Sequence, residues 1–71
     1  MPTEVIAPMA GVIAKIVVNV GDQIGEDDEV AILEAMKMEN PIYTTAPGVV
    51  KEIKVKAGQS VARNEVLVVI E

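Results

Sequence analysis

Seventy-one residues with no Cys, no His and a formal net charge of −5 make one domain near the lower size limit for a core without staples. Lack of Cys removes disulfides, thiolate metal sites and thiol nucleophiles, and lack of His removes the commonest general base and metal ligand. The acidic balance speaks against nucleic acid, which needs a basic footprint, and no apolar run approaches the roughly 18 residues of a membrane span. No charged leader precedes an apolar stretch, so no signal peptide is expected, and the composition fits a soluble intracellular domain. Hydrophobic residues make up 51% of the chain but aromatics only 1%, the single Tyr43, so the core must be built from aliphatic side chains and Met.

The chain repeats itself. A shift of 37 positions lays residues 1–34 on residues 38–71 without a gap, and seven pairs are identical: Met1/Met38, Gly11/Gly48, Val12/Val49, Ile16/Ile53, Val18/Val55, Gly21/Gly58 and Glu34/Glu71. Aliphatics also pair with aliphatics, as at Val5/Ile42, Ile24/Val61, Val30/Leu67, Ile32/Val69 and Leu33/Ile70.

In chain order, Pro8 comes first, and with Pro41 and Pro47 it is expected at a strand end or edge, where a missing N–H is harmless. Val12, Ala14, Ile16 and Val18 share one parity and predict a half-buried strand. Gly21 follows it, before Asp22, in a turn that needs positive φ. Asp27 marks a second turn and tolerates the left-handed region. The run "EDDE" (26–29) lacks the spaced Asp-x-Asp-x-Asp-Gly of a calcium loop and is expected to be a solvated turn. "EVAIL" (29–33) closes the first half as a strand. In the second half Val49, Ile53 and Val55 repeat the buried face, with Glu52, Lys54 and Lys56 opposite. Lys51 interrupts that face and predicts a bend or bulge. Gly58 and Asn64 repeat the two turns, and "EVLVVI" (65–70) is the final strand. Replacing Gly21 or Gly58 by Val is expected to unfold the domain through the forced positive φ.

Neither half can bury an apolar face alone, but together they can close a small sandwich or flattened barrel about a pseudo-two-fold axis. Ala35, Met36 and Lys37 remain between the halves and form the joint, a hairpin tip between "VAILE" and "NPIYT". Under the pseudo-symmetry the counterpart of this joint is the pair of termini, so Lys37 is expected at one end and the termini at the other. A lysine in a turn is ordinarily a solvated charge, and Met is ordinarily adaptable core filler. On so tight a tip, however, at least one of Met36 and Met38 cannot reach the core, and an exposed Met serves contact.

"AMKM" (35–38), preceded by Glu34 and followed by Glu39-Asn40, resembles the attachment signature of the biotinyl-domain (biotin carboxyl carrier) family. "APMAG" (7–11), "VGDQI" (20–24), "APGVV" (46–50) and "VKAGQSV" (55–61) are similar to other elements of that family, so the resemblance runs over nearly the whole chain. It implies an all-β fold, a flattened barrel of two four-stranded antiparallel sheets, formed by residues 1–71 as a single domain. It also implies that a biotin protein ligase joins biotin to the Lys37 amine through an amide. A non-catalytic carrier would then move a carboxyl group between a biotin carboxylase, or a decarboxylase, and a carboxyltransferase. Glu34, Ala35, Met36, Met38 and Glu39 would be its recognition motif, although Glu34, which pairs with Glu71, could instead only cap a strand. A monomeric domain in the cytoplasm, or in the mitochondrial matrix of a eukaryote, is implied as well. Gly is common in the family where Asp27 and Asn64 stand, and both residues tolerate that conformation. No room exists between Val12 and Val30 for the protruding thumb of some acetyl-CoA carboxylase carriers, so the chain looks like the thumbless carriers.

Two rivals remain on this fold. A lipoyl carrier domain of a 2-oxo acid dehydrogenase or glycine-cleavage system usually has Asp-Lys-Ala where this chain has Met36-Lys37-Met38. An unmodified interaction module has no need to keep a tip lysine. An enzyme in its own right is disfavoured, because without His, Cys, a phosphate loop or an expected pocket no catalytic constellation assembles.

Overall fold

The computed structural model describes residues 2–71, so Met1 of the Met1/Met38 pair lies outside it. Eight strands follow one another: β1 (Thr3–Ile6), β2 (Gly11–Ile16), β3 (Gln23–Ile24), β4 (Glu29–Ala35), β5 (Met38–Tyr43), β6 (Gly48–Ile53), β7 (Ser60–Val61) and β8 (Val66–Ile70). They form two four-stranded antiparallel sheets, ordered β1-β8-β6-β3 and β5-β4-β2-β7. No helix of the described chain is long and apolar enough to cross a membrane.

The two sheet orders are images of each other under the 37-residue repeat: β1 becomes β5, β8 answers β4, β6 answers β2 and β3 becomes β7. Between the sheets lies an aliphatic core whose fully buried members include Ile13, Val30, Leu33, Val50, Leu67 and Ile70. The turn residues obey the same symmetry. Asp27 and Asn64 have φ of 69° and 70°, and Gly21 and Gly58 have 96° and 91°. Thr44 exchanges backbone hydrogen bonds with the turn at Asp27–Asp28, as Ala7 does with Asn64–Glu65. In the acidic run, Asp28 accepts the Gly25 N–H at 2.7 Å, and its equivalent Glu65 accepts the Ala62 N–H at 3.0 Å. "EDDE" is thus a solvent-exposed turn closed by its own carboxylate.

Parity within β2 and β6 departs from expectation. Register shifts at Ala14 and at its equivalent Lys51 insert one extra residue into each strand, so the bulge predicted at Lys51 is present in both halves. A one-residue insertion reverses the side-chain alternation. Upstream of the bulge the inward residues are Ile13 and Val50, while Val12 and Val49 are 42% and 43% exposed. Downstream, Ile16, Val18, Ile53 and Val55 turn inward as expected. Pro8, Pro41 and Pro47 hold their expected positions: Pro8 and Pro47 lie outside strands, and Pro41 sits on edge strand β5. Its equivalent on the other edge, in β1, is the exposed Glu4. A proline and a charge are two ways to discourage edge pairing with another chain.

The hairpin tip and the paired residues Thr3 and Ile70 occupy opposite ends of a body measuring 32 × 17 × 16 Å. Strand β2 starts at the tip, with Val12 opposite Glu34. The chain then runs to the turn Asn19–Asp22, where Gly21 donates to the Val50 carbonyl and Asp22 accepts from the Val50 N–H. Its neighbour Val49 exchanges two backbone hydrogen bonds with Glu71 at the C-terminus.

Two kinds of glycine emerge. At Gly21 and Gly58 an added Cβ meets nothing within 4 Å, so substitution costs only backbone strain. At Gly11 and Gly48 a Cβ would lie 2.5 Å from the Glu34 carbonyl oxygen and 2.8 Å from that of Glu71, where the neighbouring strand cannot yield. We therefore expect Gly21→Val to cost about 1–3 kcal/mol and leave a folded domain, because a chain of this size has about 5 kcal/mol of margin. Gly11→Ala and Gly48→Ala should be the more damaging changes despite adding only a methyl group. Thermal denaturation of the three variants gives the order, and equal losses would contradict it.

Candidate functional site

The β4–β5 hairpin pairs through Glu34↔Glu39 to Ala35↔Met38, so its turn consists of Met36 and Lys37 alone. Both have positive φ, 55° and 64°, as a type I′ turn requires at its two central positions. Such turns favour Asn-Gly, and a residue with a full side chain in the left-handed region costs roughly 1–2 kcal/mol. The β4–β5 hairpin therefore closes through a strained two-residue turn. Sequence reasoning identified the joint but not its turn type, because Met-Lys lacks the usual I′ signature.

Five recognition residues were expected besides Lys37, and the structure separates them. Met36 is 91% exposed and Met38 65% exposed, so neither is core filler. Ala35 is a correction: it belongs to β4 rather than to the joint and is buried. A Cβ on Gly11 would lie 3.2 Å from the Ala35 Cβ, so a small side chain at position 35 leaves room for the neighbouring strand. Glu34 and Glu39 are exposed and stand directly opposite each other, an arrangement in which like charges destabilise a strand pair. Asn40 donates its side-chain amide to the Met38 carbonyl at 3.3 Å and steadies the return from the turn.

The repeat clarifies Glu34. Its equivalent Glu71 forms an ion pair with Lys51 at 2.6 Å. The hydrogen bond and charge of each lower the Glu71 carboxyl pKa and raise that of Lys51. At the position equivalent to Lys51 the first half has Ala14. Among the described residues neither Glu34, Glu39 nor Lys37 has an ion-pair partner. The chain terminus thus received a compensating cation, whereas the tip kept two uncompensated carboxylates below one uncompensated amine.

No pocket was expected in so small a barrel, but one open groove of about 270 Å³ runs between the edges of β1 and β5, lined by Glu4, Val5, Ile6, Tyr43 and Thr45. Ile6 and Tyr43 are equivalent in the repeat, so the groove lies on the pseudo-two-fold axis, at the end of β5 away from Lys37. Among the described residues no hydrogen bond joins its Glu4 carboxylate to the Tyr43 or Thr45 hydroxyl. Nor do the described residues gather three or more acids that could hold a metal ion.

A family model described as "Biotin-requiring enzyme" matches residues 3–70. The chain is 52% identical over 59 residues to the biotin/lipoyl attachment protein of Bacillus subtilis, covering 83% of this chain and 81% of that protein. It is 48% identical over 64 residues to the biotin carboxyl carrier protein of Streptococcus mutans, covering 90% of this chain but only 49% of the relative, about half its length. The crystal structure of Kluyveromyces lactis urea carboxylase contains the same fold, with a TM-score of 0.94 at 32% identity, over 100% of this chain and 6% of that one. With strands, symmetry and tip all accounted for in one match, the chain belongs to the biotin-requiring enzyme family of biotin/lipoyl attachment domains.

Proposed function

We propose that this chain is a biotin carboxyl carrier domain, non-catalytic in itself, with biotin joined through an amide to the Lys37 amine. The observation that carries the reading is an exposed lysine, without an ion-pair partner among the described residues, on a strained two-residue turn at the end of the domain away from Glu71. The site fits such a group. Nothing in the fold occupies the amine, which projects from a narrow tip that a partner's active site can admit, and the two flanking thioethers offer apolar contact. Biotin, when bound, supplies the ureido nitrogen that accepts and releases a carboxyl group.

What the chain's own residues contribute is address and mobility. The strained turn fixes the direction of Lys37, Met36 and Met38 dock, and Glu34 and Glu39 give a basic partner surface its register. A biotin protein ligase would supply the base and orientation for amide formation. A biotin carboxylase or decarboxylase and a carboxyltransferase would then meet the same tip in turn. Attachment through the far end raises the local concentration of the tip at each partner without obstructing it. In this reading the domain is a monomer and acts in the cytoplasm, or in the matrix where the source is a eukaryote with mitochondria. A second reading, lipoyl attachment at the same lysine, is favoured by the name of the B. subtilis relative, which covers both groups.

Expression with a biotin protein ligase and free biotin should add one biotin mass to the intact chain, mapped to Lys37. Lys37→Ala should abolish the increment and leave the melting temperature unchanged. A melted Lys37→Ala variant would instead make the tip structural. A lipoyl mass gained with a lipoate ligase, and none with the biotin ligase, would move the chain to the second reading. Glu39→Gln should separate stability from recognition. Removing one of two opposed carboxylates should raise stability by roughly 0.2–1 kcal/mol, while the initial biotinylation rate falls about three- to tenfold as a rim charge is lost. Loss of both together would assign Glu39 to the fold.

A further inference from the structure

Two of the four methionines in the chain flank Lys37, and they are the most exposed large apolar side chains described, at 91% and 65% against 39% for Met9. The turn does not ask for them, since type I′ geometry favours Asn-Gly and Met36 adopts φ 55° at a steric cost. Neither packs in the core. Because the chain has no Cys, its thioethers are its only sulfur. Hydroperoxides oxidise accessible thioethers. The sulfur lone pair takes the outer peroxide oxygen, the O–O bond breaks, sulfur loses two electrons, and the peroxide is reduced to water or an alcohol.

We propose that Met36 and Met38 are a reversible oxidation site at which hydroperoxides switch off the loading of Lys37, an inference that rests on the attachment function proposed above. Oxidation converts a flexible apolar side chain into a polar, chiral one. At this tip both apolar contacts on either side of the acceptor amine would be lost together, while the amine, its turn and the core stay intact. Methionine sulfoxide reductases reverse the change one epimer at a time: a reductase dithiol gives up two electrons and two protons as it closes to a disulfide, the S–O bond breaks and the oxygen leaves as water. A tip this exposed is open to them. The sulfur placed nearest the acceptor is thus also the sulfur least protected from peroxide.

The test treats the full chain with hydrogen peroxide, maps the oxidised peptides and then measures the initial rate of biotinylation by a biotin protein ligase. Met36 and Met38 should gain oxygen before Met9, and the rate should fall about tenfold or more, the scale of losing one or two central contacts. The melting temperature should stay unchanged, and reductase treatment should restore the rate. In the M36L/M38L variant the ratio of treated to untreated rates should remain near one, and the reductase rescue makes the same point without substitution. A chain carrying both sulfoxides that loads at the untreated rate overturns the switch, as does a loss that survives reductase treatment or that follows unfolding. Failure of the untreated chain to load with biotin would overturn the carrier reading itself and this inference with it.

Discussion

Each sheet is completed by strands from the opposite half of the chain, and the rest of the structure depends on that exchange. Strands β6 and β8 of the second half are flanked by β1 and β3 of the first, while β2 and β4 are flanked by β5 and β7. Half the chain would leave two strands with free edges and an exposed apolar face, which is not stable in water. Interleaving pairs the free edges of those central strands and covers their apolar face, and it lets the chain form a core from aliphatic side chains with no Cys and a single aromatic residue. It also explains why Gly11 and Gly48 admit no side chain: each lies where a strand passes directly beside the last residues of β4 or β8.

The exchange makes the two ends chemically unequal although they are topologically equivalent. At one end Thr3 pairs with Ile70, and Glu71 finds Lys51. At the other the chain must reverse in two residues, and Glu34 finds only another carboxylate. Strain at Met36 and Lys37, like charges at Glu34 and Glu39, and exposed thioethers are local costs that the well-packed sheets can carry. Each is the kind of feature that stability alone would remove. Their concentration at the one lysine distinguishes the tip from the equally exposed turns at Asp27 and Asn64, where left-handed residues of tolerant type stand.

The groove between β1 and β5 belongs to the symmetry rather than to the tip. It lies where the two sheet edges meet on the pseudo-axis, and its equivalent residues Ile6 and Tyr43 are both partly exposed. Pro41 and Glu4, also equivalent, blunt the two edges by different means, one by withholding an N–H and the other by placing a charge. Duplication thus preserved the position of the protection while its chemistry diverged.

By itself the sequence determined the repeat, the left-handed turns at Gly21, Asp27, Gly58 and Asn64, and the lysine at the joint. These are local matters of spacing, turn chemistry and pairing between halves, and they survive without knowing what packs against what. Only the tertiary structure decided which valines face the core, because a single bulge residue at Ala14 or Lys51 reverses the alternation upstream of it. It also decided that Ala35 is packing rather than surface, that both methionines point into solvent, and that Gly11 and Gly48 outrank the turn glycines. Those properties depend on the distance to a neighbouring strand far away in the chain, and periodicity within one strand carries no record of that distance.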